Sequence, residues 1–211
     1  TWSRPDHGRE VAIVAADRGV ADAATRSDRG EPAVDALVTS GRGRGVAALA
    51  ADCVPVLLVA GTAGGTLAIG AVHSGRVGLA LGVVPAAVRA LRQEALAQLA
   101  PAARVGTLGA DEASGLVVRA VVGPAVCGRC HEVPPAMQED VARIIPQAAS
   151  TTRWGSTGLD LVGGVLAQLA SAGAQAHSVE MCTLESPHLF SHRREGVTGR
   201  FAGVIATRRA G

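Results

Sequence analysis

The chain contains no lysine and no tyrosine: every one of its 20 basic residues is an arginine, and its aromatic side chains are two tryptophans and two phenylalanines. Without a lysine amine, neither Schiff-base catalysis nor a P-loop phosphate site can be built. The shortage of aromatic rings removes the stacking platforms on which single-stranded nucleic acids are held. Against 18 acidic residues the net charge is only +2, too little for a basic field that would attract nucleic acid. No apolar run reaches the roughly eighteen residues of a membrane span, and the N-terminus lacks the charged-then-apolar pattern of a secretory signal. A soluble cytoplasmic protein with no membrane partner is the expectation. Four cysteines are too few for a disulfide scaffold and suit a reducing compartment.

With 48% apolar residues, the 211-residue chain can bury a substantial core, and no linker-like segment divides it, so residues 1–211 are expected to form one folding unit. Short β-branched runs at 11–14, 36–39, 46–49, 54–59, 67–72 and 116–122 predict strands, several of them continuous enough for a buried sheet. Amphipathic, alanine-rich stretches predict helices over 79–99, around 134–145 and over 159–172, the last with Leu161, Val165, Leu166 and Leu169 on one face. Residues 101–115 read as an exposed loop. Two further strands are predicted at 179–183 and 201–206. The pattern is that of an α+β fold, a layered domain whose mixed β-sheet is flanked by helices.

Three separated segments carry metal-ligating side chains at strand edges or turns: His7, Cys53 and His73. Two imidazoles and one thiolate suit zinc, and three protein ligands leave one position open for water or substrate, as a catalytic metal requires. Asp52 can orient a ligating imidazole from beside Cys53, or act as a proton donor. Each residue also has a plainer role, Cys53 as a buried thiol and His73 as a strand-end histidine. Arg193, Arg194 and Arg200 fall within eight residues, beside Ser191, Thr198 and Gly199. Such a loop reads either as a solvated basic turn or as a set of guanidinium forks for phosphate, with Arg76 able to join them. Cys127-Gly128-Arg129-Cys130 has no second C-x-x-C to complete a zinc ribbon, so it reads as a turn. His131 and Cys182 read as packing or pocket-lining residues.

The blocks Asp35 to Thr39, Ala51 to Leu58, Ala71 to Arg76, Gly123 to Val133 and Cys182 to Arg200, in that order, resemble the bacterial YfiH-like family of laccase-domain or multicopper polyphenol oxidase proteins. The resemblance runs from residue 1 to the C-terminus. It implies a fold similar to that of Cys/His toxin deamidases and a zinc site made by His7, Cys53 and His73. It also implies phosphorolysis of adenosine-, inosine- or guanosine-type nucleosides at that site, with Cys53, His73 and Asp52 as catalytic residues. Nucleoside and phosphate would then be the small-molecule partners, phosphate held by Arg76, Arg193, Arg194 and Arg200, and adenosine deamination would use the same metal. Three departures stand out. Members carry a further segment ahead of the first histidine, so the N-terminal part of the family domain is expected to be missing here. Pro5-Asp6 replaces the usual Gln-Val before His7, and Ser74-Gly75-Arg76-Val77-Gly78 replaces Ala-Gly-Trp-Arg-Gly.

Six histidines with no His-x-His pair cannot build the trinuclear copper cluster of a multicopper oxidase. Cu2+ can still occupy a single Cys/His site, since it outcompetes zinc on intrinsic affinity, and laccase-like phenol oxidation would then be a side activity. Two other readings stay open: a cysteine hydrolase acting in peptidoglycan precursor editing, with Cys53 as nucleophile and His73 as base, and a non-catalytic module.

Overall fold

In the computed structural model, residues 8–14, 34–104 and 115–208 are described. Among the described residues ten strands occur in chain order: β1 (Val11–Ile13), β2 (Ala36–Thr39), β3 (Gly45–Ala50), β4 (Val54–Thr62), β5 (Gly65–Ser74), β6 (Val117–Val122), β7 (Ala149–Thr151), β8 (Thr157–Leu159), β9 (Ala174–Ser178) and β10 (Phe201–Ala206). The α-helices of the described residues are α1 (Arg76–Leu81), α2 (Val83–Arg104), α3 (Pro135–Ala142), α4 (Leu161–Ser171) and the single turn α5 (His192–Glu195). Six strands form one mixed sheet in the order β1-β2-β5-β4-β6-β9, parallel at its two edge pairs and antiparallel at its centre. β3 and β10 make an antiparallel ribbon, and β7 and β8 a small hairpin.

The long β4–β5 hairpin is apolar on both faces because both faces are covered. Strand alternation sends Val56 and Leu58 into a core with Leu79, Val88 and Leu91 from α1 and α2 and Val165 and Leu169 from α4. Leu57 and Val59, one residue out of phase, pack on the opposite face against Val46 and Ala48 of the β3–β10 ribbon. The result has three layers: ribbon, sheet and helices. This is the α+β architecture that the alternation of β-branched and alanine-rich segments predicts. Among the described residues no helix is long and apolar enough to cross a membrane.

Several element boundaries differ from expectation for identifiable reasons. The helix expected over 79–99 is two helices, broken at Gly82, whose φ of +77° closes α1 in the left-handed region that glycine tolerates. Residues 101–104 belong to α2, while 105–114 of the expected loop lie outside the described residues. The strand expected at 179–183 is instead β9 at Ala174–Ser178, an edge strand whose alternation is masked because its central residues face solvent. Residues 179–183 leave the sheet and retain one isolated bridge, Cys182 to Ala125.

Strand registers determine where a site can form. Pairing of Ala36 with Val72, Val54 with Ser74, Val56 with Val122 and Val122 with Ser178 places the start of β2 and β4 and the end of β5, β6 and β9 at one end of the sheet. Asp35, Cys53, His73, the 123–131 segment and the 179–185 segment therefore leave the sheet together. The buried face of α2 carries much of this frame. Leu91→Ala should cost about 2–5 kcal/mol, read as a lowered urea midpoint with an unchanged slope.

Candidate active site

His73 is the penultimate residue of β5 and lies beside Asp35, whose carbonyl accepts its N–H at 2.7 Å. Their side chains meet as well: Nδ1 of His73 lies 2.9 Å from Oδ1 of Asp35, with the two residues 3% and 1% exposed. The second oxygen, Oδ2, accepts the Gly8 N–H at 2.6 Å. A single buried carboxylate thus fixes the imidazole and the chain immediately after His7; His7 itself lies outside the described residues. With Nδ1 engaged, Nε2 is the ring nitrogen left for Cys53, which is also hydrogen-bonded to the imidazole. Burial works to lower the His73 pKa, but the bonds to Asp35 and Cys53 outweigh it and raise it from 6.5 to about 9. An imidazole held through Nδ1 by a carboxylate, with a thiol alongside, fits a borderline-soft divalent ion.

Cys53 is aimed by an unusual residue. Asp52 has φ +88°, the one positive φ among the described non-glycine residues, a conformation that costs about 1–3 kcal/mol unless its surroundings hold it. They do: Oδ1 accepts the Thr183 hydroxyl at 2.6 Å and Oδ2 accepts the Arg193 N–H at 2.7 Å. Both carboxylate oxygens are acceptors in these bonds, an arrangement suited to an anchor rather than to the proton donor considered from sequence. Arg193 lies in the single turn of α5, where the N-cap Ser191 Oγ accepts the Arg194 N–H at 3.2 Å.

Asp52, Cys53, Arg76, His131, His192 and Arg193 line one cavity of about 370 Å³, completed by Ala51, Val77, Val126 and Leu161. That volume lies within the range of small-molecule sites. Arg194 and Arg200, expected to bind phosphate, are not among its lining residues. Arg194 donates instead to the carbonyls of Thr183, Leu184, Ser186 and Leu189, and Arg200 to those of Thr198 and Gly199. Arg194 holds the 183–189 loop in shape. His131, read as packing or pocket lining, reaches the cavity. Its Nδ1 lies 3.0 Å from the Leu159 carbonyl, so Nδ1 carries the proton and Nε2 remains an acceptor. Burial and then the Arg193 charge push its pKa below the ordinary value, keeping it neutral.

Beside this cavity stands a group that the sequence did not bring together. The donor atoms of Cys127, Cys130, Cys182 and Glu185 all lie within 4.8 Å of one another, and this group could hold a metal ion. The C-x-x-C is a turn, as expected, and it meets its third thiol in Cys182 rather than in a second C-x-x-C. Asp35, the four-residue group and His192 are what motif reasoning passed over. Only Cys182-x-x-Glu185, repeating the C-x-x-C spacing with a carboxylate, offered a signal.

Residues 1–208 match the family described as Multi-copper polyphenol oxidoreductase laccase. A purine nucleoside phosphorylase of Streptomyces griseus is 44% identical over 205 residues, covering 97% of this chain and 72% of its own length. One of Mycobacterium tuberculosis is 38% identical over 205 residues, with 97% and 70% covered. The crystal structure of Bacillus licheniformis hypothetical protein YfiH superposes with a TM-score of 0.71 at 28% identity, over 98% of this chain and 74% of that one.

The His73 environment predicts a pH dependence. Its folded pKa of about 9 exceeds its ordinary 6.5, so the stabilisation it provides is complete below pH 6.5 and is lost as pH rises through 9. In metal-free protein, unfolding free energy should fall by up to about 3 kcal/mol across that window. Asp35→Asn should remove most of the slope in urea titrations at stepped pH, and a flat wild-type profile would refute the raised pKa.

Proposed function

The chain belongs to the Multi-copper polyphenol oxidoreductase laccase family, and on that premise we propose that it is an enzyme, a zinc-dependent purine nucleoside phosphorylase that also deaminates adenosine. One observation carries the reading: Cys53, whose thiol is paired with the buried His73 behind the cavity wall, borders the same cavity as two arginines, Arg76 and Arg193. A metal-ligand pair and an anion site side by side are what transfer of a ribosyl group to phosphate requires. The names of the relatives at 38–44% identity point the same way.

Cys53, His73 and His7 would hold the ion, with Asp35 orienting His73. When bound, zinc would supply Lewis-acid polarisation of a substrate oxygen and, for deamination, activation of water. The chain's own groups do the rest. Arg193 and Arg76 place phosphate against C1′ through paired N–H donors. A phosphate oxygen bonds to C1′ as the bond to the purine nitrogen breaks, and the purine leaves with that electron pair and takes up the proton that hydrogen phosphate gives up. Neutral His131 accepts a hydrogen bond at Nε2 from a ribose hydroxyl or a protonated phosphate oxygen. Asp52 keeps Cys53 and Arg193 in one register by binding the Arg193 N–H from the residue next to Cys53.

One feature favours a second reading. Cys53, His73 and Asp35 form a hydrogen-bonded series with the logic of a thiol nucleophile, its base and an orienting carboxylate, which suits a cysteine hydrolase. Metal dependence separates the two: full activity without metal, with loss only on thiol alkylation, would establish the hydrolase.

Inosine cleavage should require added phosphate and yield ribose 1-phosphate. Arg193→Ala should lower kcat/KM for phosphate about 30-fold or more, the loss of about 2–3 kcal/mol from a charged hydrogen-bond pair, with zinc content unchanged. Arg193→Lys should recover only part, because it keeps the charge and loses the fork. Adenosine deamination, which uses no phosphate, should survive both substitutions. Equal loss of the two reactions would assign Arg193 to nucleoside binding instead.

A further inference from the structure

We propose that Cys127, Cys130, Cys182 and Glu185 bind a structural zinc ion, a second metal site separate from Cys53 and His73, which staples the 127–130 turn to the 182–185 turn. The four donors come from two turns that the backbone already holds in register. Ala125 bridges Cys182, with Ala125 N–H on the Met181 carbonyl and Thr183 N–H on the Ala125 carbonyl. The Cys130 and His131 N–H groups both donate to the Cys127 carbonyl at 2.9 Å, closing a tight knuckle that turns both thiols the same way. From the other turn, Cys182 Sγ accepts the Cys127 N–H at 3.4 Å, and the Glu185 carboxylate accepts the Cys130 thiol at 3.3 Å.

All four donor atoms lie within 4.8 Å of one another. A tetrahedral zinc with thiolates at about 2.3 Å and a carboxylate oxygen at about 2.0–2.2 Å holds its donors about 3.8 Å or less apart, so the group would close by at most about 1 Å at its widest pair. Three thiolates select a soft or borderline ion and exclude calcium and magnesium. Arg153 Nη1 lies 2.8 Å from Oε1 of Glu185, so a guanidinium both orients the carboxylate and offsets the negative charge of the ligand set. Four protein ligands leave no open position, the mark of a structural rather than a catalytic ion. The staple bears on the cavity because Val126 and His131, which line it, flank the first turn. Thr183, which anchors Asp52, belongs to the second.

The test is zinc content after purification under reducing conditions, zinc reconstitution and desalting, together with the zinc X-ray absorption spectrum of the unmutated protein. Wild type should carry about two zinc ions per chain, averaging about two sulfur neighbours each. Cys130→Ser and Cys182→Ser should each lose about one ion and keep the other, whereas Cys53→Ser should lose only the complementary one. One ion with about three sulfurs, unaffected by Cys53→Ser, would uphold the staple and overturn the Cys53 metal site. One ion with a single sulfur would overturn the staple, as would wild-type content in both Cys130→Ser and Cys182→Ser. A disulfide among these three cysteines, found by alkylation and mass spectrometry in the reconstituted protein, would also overturn it. The absorption spectrum decides the matter even if a variant fails to fold.

Discussion

The carboxylate of Asp35 is the contact on which the site depends. It lies at the start of a strand, almost wholly removed from solvent, and its two oxygens are divided between the His73 ring and the backbone of Gly8. Burying a charge is costly unless each of its acceptor positions is matched, and here both oxygens are. The imidazole therefore has a fixed orientation, with the Cys53 thiol as its second side-chain partner. Any chemistry at this end of the sheet begins from that geometry, whether the ring holds a metal or serves a thiol as base.

Asp52 plays the corresponding part for the other half of the cavity. The left-handed backbone at this position turns the chain sharply before β4, and the carboxylate then reaches more than a hundred residues along the sequence to Thr183 and Arg193. Strain is stored where it organises function, next to the thiol and below the arginine turn. Arg194, bonded to four carbonyls, ties that turn to the 183–189 loop. Two neighbouring arginines thus have unlike tasks: one shapes the loop and the other faces the cavity.

Much of the layered fold was legible because the sheet centre announces itself: 54–59 and 67–72 are continuous apolar runs that only a doubly covered strand explains. β9 was not legible, since Gln175, Ala176 and His177 face solvent at a sheet edge and carry no alternation. Cys53 and His73 could be singled out because each stands at the end of such a run. Asp35 could not, being one acidic residue ahead of a short strand with its partner 38 residues away. The roles of Arg194 and Arg200 were illegible for a different reason: a guanidinium binds carbonyls as readily as phosphate, and composition does not say which it will meet. Cys182 and Glu185 join Cys127 and Cys130 across 55 residues through a single parallel bridge, a contact that no local spacing encodes.

The sheet also has a second end. β4 and β5 are nine and ten residues long and are joined there by a tight turn, in which the Gly64 N–H donates to the Thr62 hydroxyl. At about 3.4 Å per residue, that turn stands some 30 Å from His73. Chemistry and tether can therefore be kept apart: a reporter peptide, a surface linker or an inserted domain placed at Ala63–Gly64 would hang from the end of the hairpin remote from the cavity.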